Sequence, residues 1–163
     1  MSAPEKPRAA KTPRSHGAPR QEPPRGIRSV VRGLHHVAIA VESIATARVA
    51  WERGLGLVAG DVEFVEDQRV NVLVLLAGDQ RIELVEPAAP DSPVSAFLAK
   101  RGGGLHHLAW RVDDVAAAIA ALEAAGVKMI DRAPRPGAHG TRIAFVHPRS
   151  TGGVLMELVG SAE

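Results

Sequence analysis

A stretch that occurs twice constrains this chain more than any other feature. Leu34-His35-His36-Val37-Ala38-Ile39-Ala40-Val41 returns 71 residues later as Leu105-His106-His107-Leu108-Ala109-Trp110-Arg111-Val112. A second segment, Ile82-Glu83-Leu84-Val85, returns as Met156-Glu157-Leu158-Val159, 74 residues on. A repeat of this length predicts two copies of one supersecondary unit joined about a pseudo-two-fold axis. Each copy contributes one doublet of histidines and one glutamate set among apolar residues.

Local patterns assign the elements of each copy. Residues 36–41 alternate in the period of a strand. Ser43 caps a helix on which Ile44, Ala47, Trp51 and Leu55 share a face, ended by Gly54-Leu55-Gly56. Residues 62–65 and 70–76 read as strands, and Gly78-Asp79 turns the second into a hairpin partner over residues 81–85. The connection carries a short helix over residues 93–100, with Ser92 or Asp91 as cap and Pro93 at its first position. The second copy predicts a strand at 107–112, a helix carrying Val115, Ile119 and Leu122, and a strand at 127–130. A Pro- and Gly-rich loop over 132–140 follows, then closing strands at 143–147 and 154–159. The fold class is α+β: two βαβββ modules, 34–87 and 105–160, forming a curved, half-open barrel with its helices outside and one domain over 34–160.

Composition limits what such a domain can do. The chain has 163 residues and no cysteine, so a metal must be held by nitrogen and oxygen. Residues 1–33 carry eight Lys/Arg against Glu5 and Glu22, a net of +6. The whole chain is only +2, which leaves −4 on the rest. The basicity therefore sits in a proline-rich tail that is expected to be disordered, and the domain lacks the basic face of a nucleic-acid binder. No apolar run is long enough for a membrane helix or a secretory signal, so a cytoplasmic protein is expected, or a matrix protein in a eukaryote.

The repeated ionisable residues point to a metal. Alternation along a strand directs a histidine and a glutamate from each copy into one concave sheet face. A glutamate inside Ile-Glu-Leu or Met-Glu-Leu is costly if buried without a partner, and a cation relieves that cost. Imidazole and carboxylate suit Co²⁺, Mn²⁺, Zn²⁺, Ni²⁺ or Fe²⁺. Spacing alone does not choose between His35 and His36, or between His106 and His107. Strand alternation sends only one of each pair inward.

These residues resemble the vicinal oxygen chelate (glyoxalase) superfamily and, within it, the methylmalonyl-CoA epimerases. The resemblance runs through His36-Val37-Ala38-Ile39-Ala40-Val41, Ile82-Glu83-Leu84-Val85-Glu86-Pro87, Gly104-Leu105-His106-His107-Leu108-Ala109, Gly137-Ala138-His139-Gly140 and His147-Pro148 through Glu157-Leu158. It implies His36, Glu83, His107 and Glu157 as ligands of a divalent ion, cobalt foremost, with Mn²⁺, Zn²⁺ or Ni²⁺ as alternatives. It also implies methylmalonyl-CoA as substrate, a role in propionate metabolism and a homodimer. Glu157 is expected to act as a catalytic base. Residues 137–140 (Gly137, Ala138, His139 and Gly140) are expected to contact the substrate, and Lys100, Arg101 and Arg149 are candidates to meet phosphates. One departure stands out. The strand position where some relatives are proposed to carry a second catalytic glutamate is Val72 here, leaving Glu63, Glu66 and His139 as candidates. A glyoxalase-type isomerase and a non-catalytic small-molecule-binding protein are the competing readings.

Overall fold

The computed structural model describes residues 30–161. The tail expected over residues 1–33 lies outside the described residues up to residue 29. The first strand, β1 (Val31–Ala40), starts three residues before the expected domain boundary, because Val31 and Gly33 find partners in Val112 and Arg111 of the second module. The remaining elements are α1 (Ile44–Arg48), β2 (Val58–Val65), β3 (Val70–Ala77), β4 (Gln80–Pro87), α2 (Pro93–Arg101), β5 (Gly104–Val112), α3 (Val115–Ala124), β6 (Arg135–Pro136), β7 (Arg142–Val146) and β8 (Leu155–Gly160).

The eight strands form one mixed sheet in the order β2-β3-β4-β1-β5-β8-β7-β6. That order is a palindrome about the antiparallel β1–β5 pair. β1 with β4 and β5 with β8 are parallel, and the other pairs are antiparallel. The pseudo-two-fold expected from the repeat therefore passes between β1 and β5. The sheet curls into a half-barrel, so that β2 at one edge meets the loop after β6 at the other.

Helices cover the outer face. Asp114 caps α3 by accepting the Ala117 N–H at 3.0 Å. The helix then buries Val115, Ala118 and Ile119 against Val112, Met129, Ala144, Val146 and Leu158. In the first module Ile44 and Trp51 pack on Leu73, Leu75 and Leu84. Alternation sends the neighbours of these strand residues, Val72 and Val85 in one module and Ile143 and Phe145 in the other, to the concave face.

Two local expectations are corrected. Residues 127–130 do not form a strand; only Met129 makes a bridge, to Val146, while the short pairing of β6 with β7 arises inside the stretch expected to be loop. The helix predicted over residues 44–55 is α-helical only to Arg48. It continues over Val49–Gly54 as a wider π-type turn, with the Leu55 N–H bonded to the Ala50 carbonyl. The Gly78-Asp79 hairpin forms as expected, joining Ala77 to Gln80 with Gly78 at φ 64°.

Candidate metal and active site

Sheet register brings the repeated ionisable residues together. Ala38 lies two residues beyond His36, and Ala109 two beyond His107, so each shares its histidine's face. In the parallel pairs Ala38 stands beside Glu83, and Ala109 beside Glu157. Across the central pair His36 faces Ala109, and His107 faces Ala38. The two-fold thus places a histidine and a glutamate next to each alanine, and the small methyl groups leave room for the larger side chains. All four ionisable residues are buried, with 4–5% exposure.

Three donor atoms form a nearly equilateral triangle. The Nε2 atoms of His36 and His107 are 3.2 Å apart, and each lies 3.3 Å from Oε2 of Glu157. Donors about 2.0–2.2 Å from a shared ion, subtending angles between about 90° and 110°, stand roughly 2.8–3.6 Å apart. The triangle therefore has the dimensions, and the nitrogen and oxygen donor set, for a divalent cation. Burial opposes the charged form of Glu157, but hydrogen bonding and charge from His107 and His36 outweigh it and hold its pKa down to about 2. Phe145 packs edge-on against the His107 ring at 5.3 Å and fixes its plane.

Glu83 reaches the cluster from behind. Its Oε1 lies 3.4 Å from Nδ1 of His36, the ring nitrogen turned away from the triangle. The same oxygen accepts the Nε–H of Arg81 at 3.0 Å and lies 2.8 Å from Nη2. Sequence reasoning missed Arg81, because a charged residue at the start of a hairpin strand ordinarily faces solvent.

His35 and His106 also line the cavity, contrary to the expectation that alternation admits one histidine of each doublet. The pairing register explains how. β1 carries an extra residue between Leu34 and His36, which pair with Trp110 and Ala109, and that residue is His35. β5 carries one between His107 and Leu105, opposite Ala38 and Ile39, and that residue is His106. A β-bulge re-aims the side chain it inserts, so both members of each doublet turn towards the cavity. Nδ1 of His35 lies 2.8 Å from Nδ1 of His36, and the His106–His107 pair repeats the contact at 2.8 Å. Burial, then the neighbouring imidazole, lowers the pKa of His35 and of His106 to about 4.

The cavity is small, about 30 Å³, room for an ion or a water or two. Apolar Val65, Val70, Val72, Val85 and Val94 form one wall, and Ala138, Thr141 and Ile143 close another. Its titratable lining consists of the two histidine doublets, Arg81, Glu83 and Glu157. Glu63, Glu66 and His139 are not part of it. Glu63 and His139 instead bond to each other at the rim. Within the Gly137–Gly140 loop, two N–H groups are already engaged, Gly137 with the Thr141 carbonyl and His139 with Glu63. Lys100 and Arg101 line a separate surface cleft of about 330 Å³ that shares His106 with the central cavity; Arg149 does not line it.

Residues 35–145 match the Glyoxalase/Bleomycin resistance protein/Dioxygenase superfamily. A Bacillus subtilis (strain 168) protein named only as the uncharacterized protein YqjC is 49% identical over 125 residues, 77% of this chain and 89% of its own. The mitochondrial methylmalonyl-CoA epimerase of Homo sapiens is 35% identical over 126 residues, 77% of this chain and 72% of that one. The crystal structure of methylmalonyl-CoA epimerase from Mycobacterium tuberculosis superposes with a TM-score of 0.79 at 36% identity, covering 84% of this chain and 93% of that one.

Proposed function

This chain belongs to the glyoxalase superfamily and within it to the methylmalonyl-CoA epimerases, and from that premise we propose that it interconverts the R and S forms of methylmalonyl-CoA at C2. The observation that carries the proposal is the triangle of His36 Nε2, His107 Nε2 and Glu157 Oε2, buried beneath a cavity with an apolar wall. His36, His107 and Glu157 would hold a divalent cation, Co²⁺ foremost with Mn²⁺, Zn²⁺ or Ni²⁺ as alternatives, and Glu83 would complete the set. When bound, the cation supplies Lewis-acid stabilisation of the negative charge that develops on the thioester oxygen as the C2 proton leaves, favouring an enolate.

The chain's own residues do the rest. Glu157, ionised at neutral pH, accepts the C2 proton on one face, and water in the cavity returns a proton to the other face, since Val72 stands where a second acid–base side chain would act. His35 and His106, neutral at that pH, orient the ligating imidazoles through their Nδ1 contacts. The branched wall of Val65, Val70, Val72 and Val85 surrounds the reacting carbon with apolar groups and limits the cavity to a water or two. The Gly137–Gly140 loop forms the rim over the substrate, and the Lys100–Arg101 cleft beside His106 takes the phosphate-bearing end of the thioester. Exposed Val58, Val62 and Phe64 on the edge strand β2 support a homodimer.

The test is exchange of the C2 proton of methylmalonyl-CoA with deuterium from solvent, followed by NMR with cation-loaded protein. Exchange at a catalytic rate is expected. Its absence, with the cation demonstrably bound, would reject the epimerase and leave the glyoxalase-type isomerase or the non-catalytic binding protein.

A further inference from the structure

Among the ionisable residues that line the site the two modules differ at one position. Residues 74 apart are equivalent between β4 and β8, so Glu83 corresponds to Glu157 and Arg81 to Leu155. Glu157, with a leucine two residues before it, turns its carboxylate to the Nε2 atoms of both histidines. Glu83, with Arg81 two residues before it on the same strand face, gives Oε1 to the guanidinium and to the outer nitrogen of His36. The donor atoms that lie within 4.8 Å of one another come from His36, His107 and Glu157; Glu83 stands outside that group. The break in pseudo-symmetry thus coincides with the break in the donor set, and Arg81 is the residue present at both.

We propose that Arg81 is a positioning residue that sets the affinity of this site for divalent cations, because the guanidinium and the cation compete for the Glu83 carboxylate. The inference rests on the cation-binding reading above. Arg81 acts in two ways. Its two-donor grip holds Glu83 back from the triangle, and its charge, three-quarters buried on the cavity wall, repels an incoming dication. In the cation-free protein the same grip gives the buried Glu83 carboxylate a cationic partner, without which it would keep only the 3.4 Å contact with His36. The arrangement yields a site that folds without its ion and holds it moderately.

The test is calorimetric titration of Co²⁺ into cation-free protein, paired with thermal melts with and without Co²⁺. Arg81→Leu places at position 81 the residue that its twin position already accommodates. It is expected to bind Co²⁺ at least about tenfold more tightly, equivalent to about 1.4 kcal/mol. Its cation-free melting temperature should fall, and the rise on adding Co²⁺ should exceed the wild-type rise. In Arg81→Leu/Glu83→Gln the gain in affinity should vanish. Equal or weaker binding by Arg81→Leu, or a gain that survives the second substitution, overturns the proposal. If Arg81→Leu does not fold, Arg81→Lys keeps the charge but gives up the fork; it should bind about threefold more tightly, and no change there is equally decisive. Failure of the wild-type protein to bind any divalent cation would overturn this proposal together with the cation-binding reading, whereas binding without the Arg81 effect overturns this one alone.

Discussion

The Glu63 carboxylate accepts the backbone N–H of His139 at 3.0 Å from both oxygens and lies 2.7 Å from the Nδ1 of the same residue. Glu63 sits on β2 and His139 in the loop after β6, so the contact joins the two free edges of the curled sheet across 76 positions of sequence. It also holds His139 in a left-handed backbone conformation, φ 55°, that a non-glycine residue adopts only when held there. A second tie runs beside it: Arg135 lies 2.7 Å from Asp67 and bonds to Asp131 at 3.1 Å.

Removal of the first tie should free the rim. In Glu63→Ala the loop over residues 137–141 loses its anchor to β2, and hydrogen exchange of the His139 amide is expected to accelerate by about tenfold or more. The amides of β7 should keep their protection. Unchanged exchange at His139 would show that the loop is held by its own packing.

The second tie reaches the site itself. The Arg135 guanidinium lies over the Phe145 ring at 5.3 Å, and Phe145 packs edge-on against His107. Arg135→Ala should lower stability by about 1 kcal/mol, since it strips the partly buried Asp131 of its cationic partner and leaves it only the Phe145 N–H at 2.8 Å. Chemical denaturation measures this, and a loss below about 0.3 kcal/mol would make the tie merely a surface pair.

His107→Ala should lose the cation while keeping the fold. The substitution deletes one corner of the donor triangle, so titration is expected to show Co²⁺ affinity reduced by about 100-fold or more. Circular dichroism should remain that of the parent. Wild-type affinity in this variant would remove the triangle as the binding site.

Protonation should weaken the cation-free protein in mildly acid solution. His35 and His106 are partly buried and neutral, with pKa values lowered to about 4, against 6.5 when unfolded. Between these values the unfolded chain binds more protons than the folded one, so stability falls as pH drops from about 6.5 to about 4. Glu157 adds a loss at lower pH: its folded pKa of about 2 means that its contribution is full above about 4.5 and fades as pH falls towards 2. Denaturation midpoints across pH 3–8 measure both, and His106→Phe should flatten the upper part of the slope. A midpoint constant from pH 7 to 5 would contradict the assignment.

Much of the site was legible in the sequence because a repeat carries its own check. One glutamate in an apolar strand says little, but Glu83 and Glu157 in matching strands, with His36 and His107 two positions behind Ala38 and Ala109, imply a shared face once strands alternate. The unreadable parts arise where alternation fails or where distant segments meet. His35 and His106 enter the cavity through bulges, which strict alternation does not foresee. Residues 127–130 have a strand's composition but form a single bridge, Met129 with Val146, rather than a ladder. The Glu63–His139 tie depends on how far the sheet curls, which neither residue encodes locally.

The central β1–β5 pair draws a histidine from each of its two strands, and this makes cation binding a gauge of strand alignment. Sliding one strand by a single residue would move an imidazole by about 3.4 Å and turn it to the opposite side of the sheet. Deletion of the inserted residue at either doublet, His35 or His106, should therefore silence the ion site in a protein that still folds.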